Sequence, residues 1–404
     1  MSIDTSTPVL CLGGRENTLS VVRNLARYGV RVSVSGPPNC LGMYSRHCHR
    51  SVPVPEDVAP LRFWEDTLLR GHEFEGHIVF ACNDEAIEFV CKHRDELAQR
   101  YILDDFDPQM HLAMLDKQKT LEMARSVGVG VPEFWKVKTE ADLEEALGHV
   151  RFPAMVKPLH SHHFARIFGR KLFIVEDGVE ELRARVRQAW EAGQEVMIVE
   201  MIPGPDNLLC SYYTYIDKDG EYLYHFTKRI VRRYPTNRGG ATSHRTDDVP
   251  EVAEASRRFL AGIGFRGIGQ VEFKRDPRDG ILKVIENNTR FVAGHELVVR
   301  SGLSIDWVLY RYLTGQRMPL QTKFNPRLGM VSPPRDFLAF LQLRRRGELS
   351  FLGWLRSLMA LPQVFPVFWM SDPMPFLMSG RGLLGRIRRS QGHQQETPSH
   401  AASG

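Results

Sequence analysis

Hydrophobic and polar positions divide the chain into segments of two periods. Pro8–Leu12 and His77–Cys82 are short apolar runs, and Val30–Val34 alternates. Thr18–Tyr28, stopped by Gly29, and Glu85–Arg100 repeat at helical spacing. This order predicts a βαβ start and a small α/β domain over residues 1–112. A helix over Met114–Val127 follows, stopped at Gly128–Pro132, then strands at Phe152–Lys157, Lys171–Val175 and Glu195–Glu200 and a helix over Val179–Ala192, making a unit of 113–200. Strands at Leu208–Ile216 and Tyr222–Ile230, a helix from an Asp248 cap to Leu260, a hairpin, and helices at His295–Arg300 and Ile305–Leu313 fill 201–320. The mixture predicts α/β followed by α+β structure. Residues 321–390 are rich in Pro, Met, Phe and Arg without a clean period and form a C-terminal extension; 391–404 read as a disordered polar tail. No internal repeat is found.

The hairpin carries the strongest chemical signal. Gly269–Phe273 and Ile285–Arg290 flank the turn signal Asp276-Pro-Arg-Asp-Gly280. Centred near Asp279, it sets Glu272 opposite Glu286 and Gln270 opposite Asn288, with Val271, Phe273 and Ile285 on the opposite, core face. Facing carboxylates repel unless a cation lies between them. Glu272, Glu286 and Asn288 therefore read as ligands for Mg²⁺, with Arg290 at the edge to receive an anion. The bland alternative is a solvated hairpin face.

Composition narrows the class. The 404 residues are 43% hydrophobic and 25% charged, ordinary for a globular protein of two or three units. A net charge of +5 without an Arg/Lys stripe argues against nucleic acid. Six scattered cysteines with no Cys-x-x-Cys fit free thiols in a reducing cytosol, and the start of the chain has no secretory signal pattern, so a cytoplasmic location is expected. No membrane span is expected. The aromatic segment 351–378, flanked by arginines, leaves peripheral membrane contact open, with packing against the body favoured.

Other candidates are individually weak. Lys157 ends an apolar strand and Lys117 starts a helix; each could reach a phosphate, and each could be a surface lysine. Glu200-Met201-Ile202 leaves a buried strand into Pro-Gly-Pro-Asp206, a hinge whose freed backbone could read an adenine edge, with Asp206 or Asn207 on the ribose. Lys228, Arg229, Arg232, Arg233 and Arg238 read as a basic loop for an anion. Gly13-Gly14-Arg15 is an incomplete dinucleotide fingerprint whose following helix could receive a carboxylate. Neither His160, His162 and His163 nor Cys40, His47, Cys48 and His49 has zinc-module spacing.

Taken in order, Lys117, Phe152–Pro158, Ile198–Gly204, Val271-Glu272-Phe273 and Ile285–Arg290 resemble the ATP-grasp superfamily, and most of all its carboxylate–amine ligases and predicted carboligases, the D-aspartate ligase-like group. Residues 8–316 carry the resemblance. It implies an ATP-grasp fold behind a Rossmann-like pre-ATP-grasp domain. It also implies Lys117 and Lys157 on the ATP phosphates, the Glu200–Ile202 backbone on adenine, Asp206 on the ribose, and Glu272, Glu286 and Asn288 on Mg²⁺, with Mn²⁺ as the alternative ion. Arg290 would stabilise an acyl-phosphate transition state, with Lys228 close by. The implied reaction joins a small-molecule carboxylate to an amine and releases ADP and phosphate. A bicarbonate-using carboligase and a non-catalytic nucleotide-binding module are the alternatives, and a homo-oligomer is left open. Two departures stand out: Asn287-Asn288-Thr289-Arg290 replaces the usual apolar-Asn-Pro-Arg, and the loop 160–169 carries histidines in place of glycine and serine.

Overall fold

A computed structural model describes residues 3–380 apart from 160–163, 165–166, 171, 303, 317 and 319–320. The histidines of the 160–163 loop and the polar tail lie outside the described residues.

Three sheets organise the chain. The first is parallel, in the order β3 (Arg50–Pro53), β2 (Val32–Gly36), β1 (Val9–Leu12), β4 (Ile78–Ala81). β1 and β2 are wholly buried, as in a sheet covered on both faces; β1 is apolar throughout, while β2 alternates valine with Ser33 and Ser35, the latter accepting from Trp64 Nε1 at 3.0 Å. The expected βαβ start is present, with the helix Glu16–Arg27 between β1 and β2. Gly13 and Gly14, at φ +68° and +82°, make the turn into that helix; a Cβ on Gly13 would lie 2.4 Å from Asn83 Oδ1 and one on Gly14 2.0 Å from Thr18 Oγ1.

The second sheet is antiparallel: β5 (Phe134–Val137), β8 (Val196–Glu200), β6 (Ala154–Pro158), β7 (Phe173–Val175). The third has the order β13 (Leu282–Asn288), β12 (Gly267–Arg275), β9 (Leu209–Ile216), β10 (Phe226–Tyr234), β11 (Gly240–Thr246), β14 (Gly329–Val331), β15 (Gln363–Val364). The extension is thus more regular than its sequence suggested. It adds two strands to the large sheet, the helices Pro333–Arg345 and Phe351–Met359, and a helical stretch at 374–380.

Other expectations need correction. The helix expected over Met114–Val127 is two, Pro108–Leu115 and Lys117–Ser126, divided at Asp116, whose Oδ1 accepts from the N–H groups of Gln118 and Lys119. Asp248 caps nothing: the helix is Pro250–Gly262, with Val249 at its N-cap position. The strand expected to end at Ile230 continues to Tyr234, so Arg232 and Arg233 sit on a strand and not in a loop.

Helix Glu16–Arg27 also closes the N-terminal sheet against the rest. Its face is unusually polar for a buried one. Asn17 Nδ2 donates to Phe291 O at 2.9 Å, Ser20 Oγ to Glu296 at 2.5 Å, Asn24 Nδ2 to Asp306 at 2.8 Å, and Arg23 Nε to Asp372 at 2.9 Å. These bonds satisfy groups that burial would otherwise leave costly.

Candidate active site

The hairpin β12–β13 has the expected register: Gln270 faces Asn288 and Glu272 faces Glu286. The core face differs by one residue. A bulge after Glu272 brings Phe273 opposite Val284, so fully buried Val284 fills the core and Ile285 is the extra, half-buried residue. Along the acidic face, Asn288 Nδ2 donates to Gln270 Oε1 at 2.8 Å and Glu286 Oε1 at 3.1 Å, and Gln270 Nε2 to Glu272 Oε1 at 3.2 Å. Burial, then Glu286, pushes the Glu272 carboxyl above the ordinary carboxylate range, while Lys228 and Gln270 pull it back.

Lysines converge on this face from three elements. Lys157 on β6 is 8% exposed. Burial, then Lys117, brings its ammonium down to about 8, with Glu286 and Glu272 acting the other way. Lys117, at the start of its helix, has Nζ 3.9 Å from Glu286 Oε2. Lys228 on β10 is buried, its ammonium lowered by burial and supported by Glu272. Gly294 leaves it room: a Cβ there would lie 2.6 Å from Lys228 Nζ. His244 is also buried and held well below the usual imidazole range by burial, then Lys228 and Arg335, so it stays neutral.

Arg290 reaches across to the N-terminal domain, where Nε donates to Asp84 Oδ1 at 2.6 Å. Asp84 starts the helix Asp84–Lys92, which Asn83 caps through Ala86 N–H. Glu200, Met201 and Ile202 leave β8 as a tethered hinge. The N–H groups of Glu200 and Met201 donate to Glu133 O at 2.8 Å and Pro153 O at 3.2 Å. The Glu200 carboxylate pairs with Arg278, and Lys274 Nζ donates to Ile202 O and Gly204 O, each at 2.8 Å. Asp206 is buried and accepts from Arg233 Nη2 at 2.7 Å, so its carboxylate already has a cationic partner.

Sequence reasoning missed Lys274, Arg278 and Asp84. Lys274 had a usable signal, since it follows Glu272 by two on the same strand; Asp84 had none, because its contact spans 206 residues. Much of the basic run has acidic partners: Arg229 pairs with Asp247, Arg232 with Asp336 and Arg233 with Asp206, while Lys228 faces Glu272.

The donor set tests the expected ion. Among the described residues no group of three or more His, Cys, Asp or Glu side chains could hold a metal. The hairpin instead offers two carboxylates and side-chain amides, all hard oxygen donors. This fits Mg²⁺, which takes one or two carboxylates and completes its shell with phosphate and water. Burial and the facing Glu286 raise the Glu272 carboxyl, and a divalent cation held between the two acids would act in the opposite direction.

No family model matches the chain. It is 25% identical to a D-aspartate ligase of Enterococcus faecium over 294 residues, 68% of this chain and 69% of that one. Its fold matches N5-carboxyaminoimidazole synthetase from Staphylococcus aureus with a TM-score of 0.60 at 15% identity, covering 80% of this chain and 81% of that one. It also matches an L-amino acid ligase from Bacillus licheniformis with a TM-score of 0.57 at 19% identity, covering 77% and 75%. The fold, with these sheets closing on a lysine-ringed acidic hairpin, is that of the ATP-grasp superfamily. In sequence it is also similar to a D-alanine–D-alanine ligase of Stutzerimonas stutzeri, at 24% identity over 198 residues, 46% of this chain and 58% of that one.

Proposed function

We propose that the chain is an ATP-dependent ligase that joins a small-molecule carboxylate to an amine through an acyl phosphate, with release of ADP and phosphate. One observation carries the reading: Glu272 and Glu286 face each other across a hairpin while Lys117, Lys157 and Lys228 approach from three other elements.

Each residue then has a task. Lys117 and Lys157 hold nucleotide phosphates as point charges. The hinge at Glu200–Ile202 takes the adenine edge, and Asp206, oriented by Arg233, takes the ribose. Glu272, Glu286 and Asn288 hold Mg²⁺, or Mn²⁺ in its place; bound there, the ion neutralises charge on the phosphates. Arg290 and Lys228 stabilise charge developing on the transferred phosphoryl group. The buried positions of Lys157 and Lys228 exclude water from the same face, which strengthens each contact. The divisions at 112, 200 and 320 separate the substrate-facing N-terminal unit, the two nucleotide-holding units and the extension. A cytoplasmic location suits an ATP-consuming enzyme; no described helix is long and apolar enough to cross a membrane.

The test is ADP release by the purified protein with ATP, Mg²⁺ and a panel of amino acids offered singly and in pairs, followed by mass spectrometry of the product. ADP that requires both a carboxylate and an amine, with a condensed product, is expected. Release that depends on bicarbonate identifies the carboligase instead. Intact ATP binding with no turnover, unchanged by Glu286→Gln, identifies a nucleotide-binding module.

A further inference from the structure

The helix Phe351–Met359 is apolar on both of its sides. On the side facing the body Trp354 stacks on Phe340 with ring centroids 4.9 Å apart, its Nε1 donates to buried Asp336 at 2.8 Å, and Ser357 Oγ accepts from Arg232 Nη1 at 2.7 Å. Four apolar residues face outward, with Phe351 49%, Leu352 63%, Leu355 38% and Met359 76% exposed. At helical spacing those four span an arc of about 100°, and Arg356 borders it. No residue of the helix is buried. A helix left to water alone would carry the opposite pattern.

Charge identifies what covers this face. Arg344, Arg345 and Arg346 are exposed at the end of the preceding helix, and Arg356 is exposed beside the apolar arc. Beyond residue 380 the sequence adds Arg381, Arg386, Arg388 and Arg389 among Leu383, Leu384 and Ile387. A second copy packed symmetrically on this face would bring its arginines against these. The chain's own tail would add more of the same charge. An exposed apolar arc rimmed by arginine matches an acidic headgroup layer over acyl chains. We propose that this face docks on an anionic lipid bilayer surface, lying on it without crossing it.

Flotation with vesicles tests this on the full chain, using phosphatidylcholine alone and phosphatidylcholine with about 30% phosphatidylglycerol. The wild type is expected to partition at least about tenfold more onto the phosphatidylglycerol vesicles, and less at high salt. Leu352→Asp with Met359→Asp, and separately Arg344→Glu with Arg345→Glu, should each remove about tenfold of that binding. All four side chains are exposed, so an unchanged melting temperature separates lost docking from lost fold. Equal partitioning of wild type and the Leu352/Met359 variant overturns the proposal. So does failure to bind either vesicle, including the case where the protein is a dimer that the Leu352/Met359 variant splits, which gives the face to a second copy.

Discussion

Two buried charge clusters lie along β10, and they are built in opposite ways. At Arg232 every charge is matched. Its guanidinium meets both oxygens of Asp336 at 2.9 and 2.8 Å, and Asp336 also accepts from Thr242 and Trp354. Four residues earlier, Lys228 belongs to a cluster whose charges are mismatched. Burial, then Glu286, holds Glu272 above its usual range, while burial, then Lys117, brings Lys157 down to about 8. The first cluster is finished by folding. The second has its cations and anions on opposing elements, with Lys117 Nζ 3.9 Å from Glu286 and Lys228 acting on Glu272. A ligand carrying both a cation and phosphates would complete it. Buried groups with opposed shifts in one cleft mark functional sites for this reason.

The comparison breaks most sharply at Glu286. Glu286→Gln removes one of two facing acids, so ADP formation should fall about a thousandfold or more. The melting temperature should hold or rise, because repulsion with Glu272 is relieved. A coupled ADP assay and a thermal melt on the same sample check both halves. A melting point several degrees lower would make Glu286 a structural charge like Asp336.

Asp336→Ala is the mirror experiment. It leaves Arg232, 5% exposed, buried without its partner. The expected cost is about 3–5 kcal/mol in denaturant unfolding, with ATP affinity little changed in the molecules that remain folded.

Lys157 is predicted to stabilise the fold when lost. Its folded ammonium titrates near 8, below the ordinary 10.5, so folding disfavours its charged form. Below about 8 the lysine is charged in both states and the full penalty applies. Between about 8 and 10.5 the folded state has released its proton and the penalty fades. Lys157→Met should therefore gain at most about 3 kcal/mol at pH 7 and little above pH 10.5. Wild-type ATP binding should weaken as pH rises through 8, since the phosphate loses its cation. Unfolding at two pH values and a titration of ATP affinity against pH measure these.

These contrasts separate what the sequence showed from what it could not. The acidic hairpin was legible because period-two alternation and a strong turn place both acids on one face. The bulge at Ile285 was not, since one inserted residue leaves both flanking patterns intact. The arginines of β10 looked like a loop because their partners Asp206, Asp247 and Asp336 are 18 to 104 residues away. The helix Phe351–Met359 does carry an apolar arc at helical spacing, but that the arc faces outward was not legible, because the inner side is fixed by Trp354 and Ser357 meeting Asp336 and Arg232. In each case the missing information was a tertiary partner, which no local pattern encodes.

The smallest effect expected is at Lys274, and it tests whether the mismatched cluster extends to the adenine side. Lys274 is buried and brought down to about 8 by burial, then Arg233. It spends its protons on Ile202 O and Gly204 O, which hold the hinge to β12, the strand that carries Glu272. It thus sets the hinge relative to the acids without being placed to touch the reacting atoms. Lys274→Met keeps the stem's packing and frees both carbonyls. The KM for ATP should rise about five- to tenfold, equivalent to about 1–1.4 kcal/mol, with kcat nearly unchanged. A fall in kcat at constant KM would place Lys274 with the lysines proposed to hold phosphate and move the boundary of the mismatched cluster to include it.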